Sequence, residues 1–270
     1  MKRTWVNGKE ATQISVYDRG LQYGDGLFET MRMVGGELTF WPEHLSRLLQ
    51  GCQRLGIMLE PEQIEMQLTA VKSEFTSGIV KLVVTRGISA RGYKVDIKQP
   101  ANIICLYSDL PAYPEHYYTQ GVDVLFCETT LSRNPKLAGL KHLNRLEHVL
   151  ARMEWQDECQ EGLMSDEQAH VIEGTMSNVF FIKNDVLYTP DIQHCGVAGI
   201  MRQQLLTIAK EDGIQTLVRT IPFTELGSFD AALLTNSLIG AWPVKSISGQ
   251  AYAITPLAKH MVERIRVCQN

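Results

Sequence analysis

A chain of 270 residues with 44% hydrophobic and 21% charged residues has ordinary globular composition, enough for one large domain or two modest ones. Its net charge of −4 gives no footing for nucleic acid or an anionic membrane surface, so any functional electrostatics must be local. The opening "MKRTWVNGKEATQ" has no apolar stretch behind Lys2 and Arg3, and no apolar run approaches ~18 residues, so neither a secretory signal nor a spanning helix is expected.

The six cysteines (Cys52, Cys105, Cys127, Cys159, Cys195, Cys268) form no CxxC pair, which suits reduced thiols in a cytoplasmic protein. His116, His142, His148, His170, His194 and His260 show no metal-ligand spacing and are read as surface or structural.

In chain order, "KRTWVNGKEATQISV" predicts a hairpin turning at Asn7-Gly8, and "GLFETMRMVGGELTF" a second strand pair around Gly35-Gly36. Leu45, Leu48, Leu49 and Leu55 recur at helical spacing and stop at Gly56; another helix is expected over 62–74. "GIVKLVVTRG" and "ANIICLYSDL" read as strands joined by the loop "ISARGYKVDIKQP". The Pro- and Tyr-rich texture after Leu110 predicts a linker over 111–120. A smaller N-terminal α+β subdomain (1–110) would precede it, and a larger C-terminal α+β subdomain (121–270) would follow.

The second half begins with the strand "VDVLFCETTL". In "AGLKHLNRLEHVLAR", Leu143, Leu146, Leu150 and Met153 have the spacing of a helix with one buried face, with Lys141 at its mouth. "AHVIEGTMSNVFFIKNDVLYTP" is strand-rich, "GIMRQQLLTIAKEDG" is a helix ending near Gly213, and "DAALLTNSLIGAWPVKSI" returns to strand before a last helix in "PLAKHMVERIRVC". Strands and helices without regular alternation define the class as α+β, with a cleft expected between two subdomains.

Five places attract chemical attention, and each has a plain structural reading beside it. Lys141, behind an apolar approach, is either snorkelling to water or held there to react; Lys136, five residues upstream, is its competitor. "YGDGLFET" could be a turn around Asp25. His44 and Arg47 share a helical face, where both could be surface charges. Glu173 lies among strand-like apolar residues, a place for an edge carboxylate or the partner of a buried cation. Gly196 and Gly199 precede a helix whose first N–H groups would suit a phosphate. One ligand answers the set: a carbonyl for the lysine, a ring nitrogen for the carboxylate and a phosphate for the arginine and helix, as in pyridoxal 5'-phosphate.

The order and wording of "SVYDRGLQYGDGLFET", "HLSRL", "GLKHLNRLEHVLAR", "EGTMSNVFF" and "GVAGIMRQ" resemble the fold-type IV pyridoxal-phosphate enzymes along nearly the whole chain. "TRGISARGY" and "RNPKLAGLKHLNRLEHVLAR" are nearest to the lyases of that group, which act on 4-amino-4-deoxychorismate. The alternative is a D-amino acid or branched-chain amino acid aminotransferase, which Glu29 in "LFET" also suits.

The resemblance implies that Lys141 carries the cofactor, Glu173 faces its ring nitrogen, and Arg47 binds its phosphate. The backbone of Ile200 and Met201 and the Ser237 hydroxyl would assist on the phosphate. Arg91 and Tyr93 would meet the substrate's carboxylates. It also implies a homodimer, and a cofactor in the cleft between the subdomains. Met201 departs from the threonine many relatives carry there and offers only its N–H.

Overall fold

The structure, a computed structural model, describes residues 2–269. The chain forms two compact units, one running to Pro111 and including Leu140–Asn144, the other comprising Ala112–Gly139 and the residues from Arg145 onward.

The first unit contains β1 (Lys2–Val6), β2 (Lys9–Glu10), α1 (Arg19–Tyr23), β3 (Gly26–Val34), β4 (Glu37–Leu38), α2 (Trp41–Leu55), α3 (Pro61–Lys72), β5 (Gly78–Thr85) and β6 (Asn102–Ser108). Its six-stranded sheet has the order β2-β1-β6-β5-β3-β4. Alternation along β3 turns Leu27, Glu29, Met31 and Met33 inward, so a carboxylate occupies a position that strand parity reserves for the core. Helix α2 covers β3 and buries His44, Leu48 and Cys52, one residue per turn along a single stripe.

Leu140–Asn144 belongs to this unit because it pairs with the start of β3. Phe28 N–H donates to the Lys141 carbonyl at 2.9 Å, Leu143 N–H donates to Gly26 O at 3.0 Å, and Leu27 bridges His142. The lysine therefore stands in the first unit, not in the C-terminal one expected from its place in the chain.

The second unit contains α4 (Glu115–Thr119), β7 (Val122–Phe126), α5 (Leu146–Arg152), β8 (Glu161–Ser165), β9 (Val171–Gly174), β10 (Asn178–Lys183), β11 (Val186–Pro190), α6 (Ile200–Glu211), β12 (Thr216–Arg219), β13 (Ala231–Asn236), β14 (Gly240–Ile247), β15 (Gln250–Ala251) and α7 (Pro256–Gln269). Its sheet runs β12-β11-β10-β13-β14-β7-β8-β9, with β15 paired to β14. Strands β8, β9, β10 and β13 are buried almost without alternation, as strands covered on both faces are.

Two expectations are corrected here. The stretch 111–120 is not a linker: Ala112 onward belongs to the second unit, and Tyr113, Tyr117 and Tyr118 surround Trp242 with ring centroids at 5.1, 5.3 and 6.3 Å. Aromatic burial, not flexibility, accounts for its composition. The helix expected around 138–152 is only the seven residues of α5, and its apolar stripe faces outward. Leu146, Val149, Leu150 and Met153 are 77%, 53%, 54% and 70% exposed. Two polar side chains turn in instead: Glu147 accepts from Ser132 N–H at 3.0 Å, and the His148 side chain is only 12% exposed. Periodicity located the stripe but carried no information about which side meets the sheet.

Candidate active site

In the first unit the site is built around Glu29. His44 Nδ1 lies 2.6 Å from Glu29 Oε2, and Arg47 donates through Nε to Oε1 at 2.8 Å and through Nη2 to Oε2. Burial pushes the Glu29 carboxyl up, but the His44 hydrogen bond and the Arg47 charge outweigh it and hold it below its usual range. Burial holds the His44 imidazole low in spite of Glu29 beside it. The pair is thus an ionised Glu29 and Arg47, with a neutral His44 donating from Nδ1. His44 and Arg47, two possible surface charges on sequence grounds, are drawn in by this one carboxylate.

Lys141 is half-buried in the segment beside β3, its Nζ 4.4 Å from the Phe28 ring centroid, whereas Lys136 is exposed. The "YGDG" turn serves this segment. Gly24 takes a left-handed conformation to cap α1, and its carbonyl accepts from Asn144 Nδ2 at 3.1 Å. A Cβ on Gly24 would come within 2.4 Å of Asn144 Oδ1, so the glycine is required on both counts. Asp25 binds Arg19 Nε and Arg86 Nε, each at 2.8 Å. Burial pushes the Asp25 carboxyl up, and hydrogen bonds from Arg86 and Arg19 bring it below the usual aspartate range.

Arg19 also reaches Ser89 Oγ at 3.0 Å and Gly92 O at 2.8 Å, tying down the loop that carries Arg91 and Tyr93. Arg91 is exposed, and so is Tyr93 at 84%, its ring edge-on to Tyr23 at 5.4 Å.

In the second unit Glu173 is buried on β9. Its Oε2 accepts from Val197 N–H at 2.8 Å and Asn178 Nδ2 at 3.3 Å, and its Oε1 lies 3.3 Å from His148 Nε2. Asn178 also donates to Val197 O at 2.9 Å, fastening the 196–199 approach of α6 to the sheet. Gly199 is the N-cap of α6 with no side-chain hydrogen bond to the helix, and a Cβ there would lie 1.9 Å from Asn178 Oδ1. Ile200 and Met201 open the helix, where N–H groups have no intrahelical acceptor. Ser237, half-buried, follows β13; its carbonyl accepts from Gln269 Nε2 at 3.1 Å. Asn236 ties the two neighbouring turns together, accepting from Leu238 and Ile239 N–H and donating to Met176 O.

Beneath them lies Glu161, which sequence reading passed over. Its carboxylate accepts from Gly162, Thr175 and Met176 N–H and from the Thr175 and Ser177 hydroxyls. Burial pushes its carboxyl up against the pull of these donors. Asn178, His148 and Glu161 were the functional neighbourhood missed; a polar residue inside an apolar strand run was the available signal for Glu161 and Asn178. The donor set suits a phosphorylated pyridine: a carboxylate held by donors, and an uncapped helix N-terminus reached through a glycine that admits no side chain.

The chain matches the model of the amino-transferase class IV family over residues 26–247, and belongs to that family. It is 35% identical to an aminodeoxychorismate lyase of Vibrio harveyi, covering 90% of this chain and 91% of that one. A crystal structure of 4-amino-4-deoxychorismate lyase from Pseudomonas aeruginosa is 42% identical, with a TM-score of 0.94 over 98% of both chains. The branched-chain amino acid aminotransferase of Escherichia coli shares the fold, with a TM-score of 0.84 at 22% identity over 98% of this chain and 92% of that one. The α+β fold of fold-type IV enzymes, expected from the sequence, is the fold observed.

Proposed function

We propose that the chain is a pyridoxal-phosphate-dependent lyase converting 4-amino-4-deoxychorismate to 4-aminobenzoate and pyruvate, a step of folate biosynthesis in the cytoplasm. The observation that carries this reading is the likeness to the Pseudomonas aeruginosa lyase, 42% identical over 98% of the chain. When bound, the cofactor supplies an electrophilic carbon for the substrate's amine and an electron sink in its protonated ring.

The protein's own groups do the rest. Lys141 would hold the cofactor through Nζ, and its free amine would take the proton from the substrate carbon that bears the nitrogen. It returns a proton to the enolpyruvyl oxygen as the ring C–O bond breaks and the ring becomes aromatic. Glu173 keeps the proton on the pyridine nitrogen. Arg47, the N–H groups of Ile200 and Met201, and the Ser237 hydroxyl take the phosphate; Arg91 and Tyr93 take the substrate's carboxylates. The outward apolar stripe of α5 supports a homodimer in which a second copy covers it.

Purified protein given 4-amino-4-deoxychorismate and pyridoxal phosphate should yield equal amounts of 4-aminobenzoate and pyruvate, and none with Lys141→Ala. No product from cofactor-loaded protein would overturn the lyase in favour of an aminotransferase acting on D-alanine or branched-chain amino acids.

A further inference from the structure

His148 lies on α5 with its side chain only 12% exposed. Its Nε2 is 3.3 Å from Glu173 Oε1, while its Nδ1 is buried and has no hydrogen-bond partner. These two facts favour the proton on Nε2, against Arg145 Nη1, a donor at 3.4 Å from that same nitrogen and so at the outer edge of hydrogen-bond range. With the proton on Nδ1, a buried N–H would have no acceptor and the Nε2 lone pair would face a carboxylate oxygen. With the proton on Nε2, the ring donates to Glu173 and only a lone pair is left unpaired.

The donors on Glu173 are divided unevenly. Val197 N–H and Asn178 Nδ2 both serve Oε2, and His148 is the protein donor on Oε1. Three donors and no acceptor are the surroundings of a carboxylate, not of a carboxylic acid. A carboxylate held at one oxygen still rotates about its Cγ–Cδ bond; held at both, its plane is fixed. The charged and titratable groups around the pair are Arg145, whose Nη1 is 3.4 Å from His148 Nε2, and Arg202 and Cys195, both of which feel the Glu173 charge.

We propose that His148 is a positioning residue for Glu173: its Nε2–H pins Oε1 and fixes the carboxylate plane that Glu173 presents to the pyridinium N–H. The inference rests on the reading of Glu173 as the ring's partner. It gives a function to a polar residue on the inward side of α5, where an apolar side chain would fill the same space and leave no buried nitrogen unpaired.

The test compares cofactor-loaded wild type with His148→Leu, His148→Phe, His148→Gln and Glu173→Gln. The readouts are the pH titration of the bound cofactor's absorbance and the rate of cofactor release. His148→Leu and the bulkier His148→Phe should both shift the titration midpoint in the direction that Glu173→Gln does, by less. Both should lower kcat by roughly ten- to a hundredfold, the worth of one hydrogen bond to a charged group, with KM little changed. His148→Gln, which can offer an amide N–H, should recover most of the shift. If the two apolar variants titrate and release cofactor as wild type does while Glu173→Gln is altered, His148 has no such role. If Glu173→Gln is itself unaltered, the reading of Glu173 fails and the inference with it.

Discussion

The two units each set a helix histidine against a buried strand glutamate, and the two pairs are built to opposite ends. On α2, His44 and Arg47 close on Glu29, so its charge is neutralised on the spot. On α5, His148 meets Glu173 at 3.3 Å, and the direct hydrogen-bond donors to that carboxylate are a backbone N–H, an amide and an imidazole. Dipoles stabilise a charge without cancelling it. Glu29 is therefore matched by a full positive charge, whereas the direct donors to Glu173 bring dipoles alone. The helices differ in the same sense. Helix α2 buries Leu48 and Cys52 with its histidine, whereas α5 turns Glu147 and His148 inward and its leucines to the surface.

The largest test of this contrast is Glu29→Gln. Removing the carboxylate leaves Arg47 without its buried counter-charge, so the first unit should lose about 3–5 kcal/mol in urea unfolding. Glu173→Gln, which leaves neutral donors behind, should lose no more than about 1–3 kcal/mol. Equal losses would mean that the two carboxylates play the same part.

Leu48→Ala on α2 should cost about 2–5 kcal/mol. The matching Leu150→Ala on α5 should move monomer stability by no more than about 0.5 kcal/mol. A charge on α5, Leu150→Glu, should shift the protein toward monomer in light scattering; an unchanged mass would remove the support that the outward stripe gives to a dimer.

Acid should act on both units, because Asp123, Glu154, Asp166 and Glu225 of the second are held below their usual range as Glu29 and Asp25 of the first are. The carboxyls of Glu29 and Asp25 are held below their usual range, so their contribution is fully present above the unfolded values of about 4.3 and 3.9. It is lost as pH falls through the lower folded values. His44, held low by burial, adds a loss that begins as pH falls through its unfolded value of about 6.5, so stability should be level above about pH 7 and fall below it, and Glu29→Gln should make the limb below about pH 5 shallower.

Much of this was legible in the sequence because the informative residues sit in short runs of distinctive type. "HLSRL" carried His44 and Arg47, and "EGTMSN" carried Glu173 and Asn178, though Asn178 went unremarked. What pattern did not reveal was which distant segments meet. The pairing of Lys141 with Phe28, and of Asn144 with Gly24, makes "YGDGLF" and "GLKHLN" one piece of structure across about 115 residues, and no local periodicity encodes that. The outward face of α5 escaped for a related reason: a hydrophobic stripe marks a buried surface, but not whether this chain or another covers it. His148 was dismissed for want of metal-ligand spacing, which says nothing about a histidine whose partner is a single carboxylate.

The membership of Leu140–Asn144 in the first unit also bears on the birth of the protein. A nascent chain released at Pro111 would carry all six strands of the first sheet but not the segment that lies along the start of β3. During synthesis the first unit stays unfinished until residue 144 has cleared the ribosome, by which time the early part of the second has also emerged. The lysine is among the last pieces laid against the first sheet, so the amine becomes positioned only when the strands that must restrain it have already been made.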